Sequence, residues 1–460
     1  MNEPAALYLL LAFSLFLITL PILNVWRRKG DIFEPVFVVS LSFFMYFWLR
    51  SVYALIWGTP LLGEPPFHRD AIEAWNITWL YLILAFMLFL SGYYCRIGVR
   101  LASIFALLPA KWSSVRAKVV IPGMLIIGLG SFMFLVHMFG GFSYFLSNKV
   151  ETFMTRGTGP FFLLSVVGVV FSAECVYIFY LVSPRRVFLI TFAVLLILMV
   201  GVGCAIGIKG GGIIFPLFSM LVTYHYLKKR LMIRHLVLFV ALIIMVFPIF
   251  IAQRGTTDIS LMVPLARQGY AEPLIMLDIF VGRFMGFDPL VYAIRDTPAV
   301  MDYQYGRTML DMFVAWIPQK LWPNKPVYAF GRVFPQIYFG QDENCSTVGP
   351  TILGEAYINF HVAGIIFVSL ISGILFRAMY VGLIERNHGP SGVFVYATIL
   401  PHLAALWEYH FAAIPSVVII FVGSLLASMA LSAPNVRNRR SARSKHDRYT
   451  FVSTNGANQS

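Results

Sequence analysis

Residues 5–29 read AALYLLLAFSLFLITLPILNVWRRK, an uncharged apolar run that ends on Arg27, Arg28 and Lys29. Coiled as a helix at 1.5 Å per residue, residues 5–25 match the roughly 30 Å thickness of a hydrocarbon core. Met1-Asn2-Glu3-Pro4 carries none of the positive charge of a secretory leader, and the basic triplet follows the apolar run. The segment therefore reads as a retained membrane span with its N-terminus outside.

The same pattern recurs along the chain, at about 33–53, 78–94, 119–138, 161–182, 187–206, 213–227, 235–251, 355–376, 393–407 and 414–432. Hydrophobic residues make up 59% of the 460 and charged ones 12%, too little polar surface to clothe a soluble domain of this length. Period-2 alternation is absent, which argues against a transmembrane barrel. The sequence thus predicts an all-α, polytopic integral membrane protein with about 11 transmembrane helices and one long extracytoplasmic loop. It divides into a bundle of eight spans (1–251), the loop (252–354), three further spans (355–432) and a polar, basic tail (433–460) expected to be disordered.

Charge distribution sets the expected orientation. With the N-terminus outside, the inner segments hold 22 of the 35 basic residues, six of them between Arg437 and Arg448, against four acids, Asp31, Glu34, Glu385 and Asp447. This puts the C-terminus inside. The net charge of +14 then faces anionic lipid headgroups, and no nucleic-acid partner is expected. The apolar segment Glu272–Arg295, EPLIMLDIFVGRFMGFDPLVYAIR, could pass for another span. Asp278, Arg283 and Asp288 would each cost about 2.5–3.5 kcal/mol near a helix centre, so the segment reads as interfacial or re-entrant. Cys95, Cys175, Cys204 and Cys345 have no metal-like spacing, and no metal site or structural disulfide is expected.

Lys209, Arg254, Arg267, Arg283, Arg295, Arg307, Lys320, Lys325 and Arg332 fall on the outer side, against the topology rule. One reading pairs them with acids of the same loop, such as Asp278, Asp288 and Asp296. The other has some of them bind an anion, since guanidinium groups grip phosphate oxygens through paired N–H donors. Arg254, Arg283 and Lys209, at the outer edges of apolar segments, are the diphosphate-binding candidates; Lys209 precedes three glycines that expose backbone N–H groups. Arg307, Lys325 and Asn359 are candidate substrate contacts. In GEAYINFH (354–361), Glu355 and Asn359 share one helix face, about 40° apart, whereas His361 points elsewhere. Glu355 is the candidate catalytic base; interhelical hydrogen bonding is the competing role for both residues. Glu174 lies deep in the fifth span with no partner visible in the sequence. His402, Glu408 and His410 read as interface anchors with Trp407 and Tyr409.

GRFMGFDPLVY (282–292), WIPQKLWPNKP (316–326) and STVGPTILGEAYINF (346–360) resemble the Wzy-type O-antigen and exopolysaccharide repeat-unit polymerases. Under a quarter of the chain carries the likeness. One departure is His361, where such a motif would have a glycine. The resemblance implies a glycosyltransferase of the bacterial inner membrane that acts on polyprenyl-diphosphate-linked oligosaccharides at the outer face. A chain-length regulator and a flippase would be pathway partners. Because the sugar arrives activated, no cofactor is implied. Two other readings remain open: an O-antigen ligase of similar architecture, and a lipid-linked glycan flippase or transporter, which would place charge through the bundle centre.

Overall fold

A computed structural model describes residues 3–27, 30–57, 69–109, 111–147, 159–206, 210–228, 231–241 without 233, 280–314 without 283 and 285, and 349–432 without 388, with isolated positions between 315 and 348. Of the predicted site residues, Lys209, Arg254, Arg283 and Lys325 lie outside these. So do Cys345, the tail, most of the loop 252–354 and the second half of the span 235–251.

The described residues form helices and no strand; Trp112 and Ser432 make a lone backbone bridge. The main helices among the described residues are α1 (Glu3–Arg27), α2 (Pro35–Ile56), α3 (Arg69–Tyr94), α4 (Ser114–Met138), α5 (Gly159–Val182), α6 (Arg186–Ile206), α7 (Phe215–Leu227), α8 (Phe287–Asp296), α9 (Thr351–Tyr380), α10 (Pro390–Ala404) and α11 (Ile414–Leu431). Among the described residues, nine are long and apolar enough to cross a membrane, all except α7 and α8. They coincide with nine of the eleven expected spans. The span expected at 213–227 is the shorter apolar helix α7, and residues 234–241 begin the one expected at 235–251.

Helix polarity alternates, so the bundle has two ends. One gathers Asp31, Tyr93, Tyr226 and Tyr380, and the other holds Glu355 beside Phe411. Helix α10 sits at the centre, with 78% of its central stretch buried, whereas α4 and α6 reach only 22%. Their outward faces carry Val119, Ile126, Ile190 and Ile197, all exposed. Such continuous aliphatic surface suits lipid, and the chain is a multi-pass membrane protein.

Helices α3 and α9 cross at glycines. A Cβ on Gly92 would lie 2.3 Å from the Leu370 carbonyl oxygen, and one on Gly373 would lie 2.2 Å from that of Phe89. Without side chains there, the backbones touch, the usual means of packing helices where water supplies no driving force. This crossing fixes α9, which carries Glu355.

The segment Glu272–Arg295 is no continuous helix where it is described. Helix α8 has ten residues, about 15 Å, too short to span. Burial of Asp288 is relieved by a partner outside the loop. Arg50 of α2 donates from Nε to both carboxylate oxygens at 3.1 Å and from its terminal nitrogen at 2.6 Å. Paired in this way, Asp288 does not carry the cost of an isolated charge, and the described part of the segment is a ten-residue helix, shorter than a span.

Candidate functional site

Residues Thr351–Asn359 open α9 and are buried one after another, where a membrane-facing helix would show one exposed side. Their neighbours include α8, whose Ala293 and Leu290 lie against Gly354. Phe287 of α8 in turn packs on Trp75 and Trp79 of α3. Glu355 is thus 1% exposed, and its Oε2 accepts a 2.7 Å bond from the Phe411 amide, in the turn joining α10 to α11.

One turn later the helix breaks. Phe360 has φ −139° and ψ 21°, and His361 has φ 54° and ψ −146°. The His361 backbone lies in a region that glycine adopts freely and a side chain adopts at a cost of about 1–3 kcal/mol. This is the position where the resemblance expected glycine. Beyond the break the chain doubles close to itself: a Cβ on Gly364 would lie 2.0 Å from the Ala356 carbonyl oxygen.

A break frees helical carbonyls, which must find donors when buried. The turn after α8 supplies one, as Gln304 N–H donates to the Ile358 carbonyl at 3.0 Å. Gly306 N–H donates to Asn359 Oδ1 at 2.8 Å, and Asn359 Nδ2 donates to Thr308 Oγ1 at 2.7 Å and to the Glu355 carbonyl at 2.8 Å. Asn359 therefore fastens the turn to the helix through both ends of its amide. The turn itself runs through consecutive positive φ angles, 46° at Tyr305 and 87° at Gly306. It presents Arg307 to solvent.

Among the described residues, the non-glycine positions with positive φ are Tyr305, Thr351 and His361. All three belong to this turn or to the helix segment that it caps. Strained backbone gathers where packing over-determines it, and such places are commonly functional. Aromatic rings line the junction, with His361 4.8 Å from Tyr357 and 5.7 Å from Tyr303, centre to centre. Next to Phe411, His410 packs on Gly349, and burial pulls its pKa down to about 4.

Glu355, Asn359 and Arg307 are brought to one place. Glu355 and Asn359 share a face as their spacing predicted, joined through the Glu355 carbonyl. Asn359 has no open side: it is wholly buried with its amide committed. It fastens the residues on either side of Arg307. Arg295, counted with the outer cations, pairs instead with Asp296 at 2.6 Å.

Two polar clusters escaped the sequence reading. Glu174 does have partners, since its Oε1 accepts from Ser219 at 2.6 Å and Thr223 at 2.9 Å, both on α7. At the far end, Asp31 accepts from Tyr226 at 2.5 Å, Tyr380 at 2.9 Å and the Phe33 amide at 2.9 Å. His225 Nδ1 accepts from the Leu231 amide, which leaves the ring proton on Nε2, 3.2 Å from Asp31 Oδ1. Burial pushes the Asp31 pKa up, but the hydrogen bonds from His225, Tyr226 and Phe33 outweigh it and hold the carboxyl below its ordinary value. Glu34 lies the other way: burial raises its pKa against the Tyr93 hydroxyl and the Arg377 charge. This end binds four helices, because Tyr396 of α10 also donates to the Phe33 carbonyl. Clustered tyrosines and pairs of acids two or three apart were the only signals available.

Among the described residues, no group of three or more His, Cys, Asp or Glu side chains could hold a metal ion. Comparison with protein-family models, with curated proteins and with solved structures returned no match.

Proposed function

We propose that the chain is a glycosyltransferase that joins polyprenyl-diphosphate-linked oligosaccharide repeat units at the outer face of the bacterial inner membrane. The supporting observation is the junction itself: an acid on a buried, strained helix segment lies one helical turn from Asn359, which fastens the turn carrying the exposed residue Arg307. Chain growth of this kind needs a base for the attacking hydroxyl and a cation for the departing diphosphate. Glu355 takes the first role. Arg254, Arg283 and Lys209 take the second, with Arg307 and Lys325 as further substrate contacts. Glu355 is sealed in the arrangement described, so catalysis requires the Glu408–Phe411 turn, whose Phe411 amide it holds, to move aside.

On this reading the Glu355 end faces outward and the Asp31 end faces the cytoplasm. With Cys95, Cys175, Cys204 and Cys345 replaced by serine, single cysteines at Asp302 and Ser103, exposed near the two ends, test it in intact cells; only the Asp302 variant should react with an impermeant maleimide. Surface glycan from a strain lacking the chain tests the activity. Single repeat units would support polymerisation, free unattached polymer would support a ligase, and lipid-linked units held in the inner leaflet would support a flippase.

A further inference from the structure

Tyr305 is 81% exposed, more than any other large apolar side chain among the described residues. The side chains nearest to it in exposure, Val119, Ile197 and Val115, are aliphatic and sit on the membrane-crossing helices α4 and α6. Tyr305 is an aromatic ring on a polar turn. It is also held there at a cost, since its backbone takes a positive φ of 46°. The turn is rigid, pinned by Gln304 to Ile358, by Gly306 and Thr308 to Asn359, and by Arg307 N–H back to the Gln304 carbonyl at 2.8 Å. Beneath it, Phe360 packs on Gly306, 3.1 Å from where a Cβ would sit, so the turn cannot sink.

The ring has polar company on the same turn: Asp302 and Arg307 are exposed, and Gln304 is half-buried. Tyr303 lies 6.3 Å away, centre to centre, and leads back to Tyr357 and His361. An aromatic face on a pinned turn that also carries a carboxylate, an amide and a guanidinium suits a pyranose. The sugar's C–H face lies on the electron-rich ring, and its equatorial hydroxyls meet donors and acceptors at the rim.

We propose that the Tyr303–Arg307 turn is a saccharide subsite in which Tyr305 stacks on one sugar ring of the substrate. This rests on the reading of the chain as an enzyme of lipid-linked glycans and adds where the glycan is held. Gly306, next to Tyr305, is bonded to Asn359, so a sugar stacked on Tyr305 lies on the turn fastened to the segment that carries Glu355.

The test uses the full chain in lipid nanodiscs and, as probe, the oligosaccharide released by mild acid from the lipid-linked pool of cells that make the protein. Saturation-transfer NMR reads which sugar protons touch the protein. Transfer to pyranose C–H protons is expected, with affinity falling about fivefold to tenfold in Tyr305→Gly and returning in Tyr305→Trp. Glycine suits the positive φ, and the return in Tyr305→Trp separates loss of the ring from loss of the turn. Phe313→Ala, at another exposed aromatic, should change nothing. No transfer to the native chain, unchanged binding in Tyr305→Gly, or an equal loss in Phe313→Ala would each overturn the subsite. The readout is binding and not turnover. The subsite therefore stands if Glu355→Gln polymerises normally, and it falls alone if Tyr305→Gly binds as the native chain does.

Discussion

Asn359 Oδ1 accepts the Gly306 amide at 2.8 Å, and this bond ties the turn carrying Tyr305 and Arg307 to the helix carrying Glu355. Asn359 Nδ2 in turn donates to Thr308 Oγ1, so no side chain with only donors or only acceptors replaces it. Asn359→Leu leaves the Gly306 amide and the Thr308 hydroxyl without their partner, at about 1–3 kcal/mol. We expect a lower thermal midpoint in nanodiscs and proteolytic nicking near 303–308. An unchanged midpoint with a protected turn would show that Asn359 does not hold it.

His361 has the backbone of a glycine, and comparing two variants isolates that strain. His361→Ala and His361→Gly both lose the ring packed on Tyr357 and Tyr303. The glycine variant should be the more stable by roughly 1 kcal/mol, because only it accepts φ 54° without crowding. Equal midpoints would mean that the break relaxes when the ring is removed.

Arg50 and Asp288 form a buried pair, with side chains 6% and 0% exposed. Removing one partner strands a charge. Arg50→Ala or Asp288→Ala should each cost about 3–5 kcal/mol, whereas Arg50→Met with Asp288→Leu should cost far less. A double variant as unstable as the singles would show that α8 depends on the ionic geometry and not on relief of charge.

The Asp31 cluster carries a pH dependence with a definite sign. The folded-state pKa of Asp31 is depressed, so its contribution is present above the unfolded value of about 3.9 and is lost as pH falls through the lower folded value. Thermal midpoints measured from pH 6 to pH 3 should therefore fall more steeply for the native chain than for Asp31→Asn. Parallel curves would remove Asp31 from the acid response.

The spans were legible because hydrocarbon thickness imposes a length that composition reveals, as in residues 5–25, where even the internal Pro21 leaves α1 continuous. The Glu355–Asn359 face was legible for the same local reason, a spacing of four. What failed to show was pairing across distance. Asp31 meets Tyr380 from 349 positions away, and Asp288 meets Arg50 from 238. No periodicity encodes such partners. The break at His361 was half visible: the motif expected glycine there, but a histidine gives no sign by itself that its backbone has left the helix.

The account stands most directly on Glu355. The decisive measurement compares turnover of purified lipid-linked repeat units by the native chain and by Glu355→Gln, with donor binding measured separately. Glutamine still accepts the Phe411 amide and so keeps the turn in place, but it cannot take a proton. Turnover should fall about 10²–10⁴-fold with donor binding intact. Full turnover by the glutamine variant would contradict the base role, and loss of turnover and donor binding together would make Glu355 a packing residue.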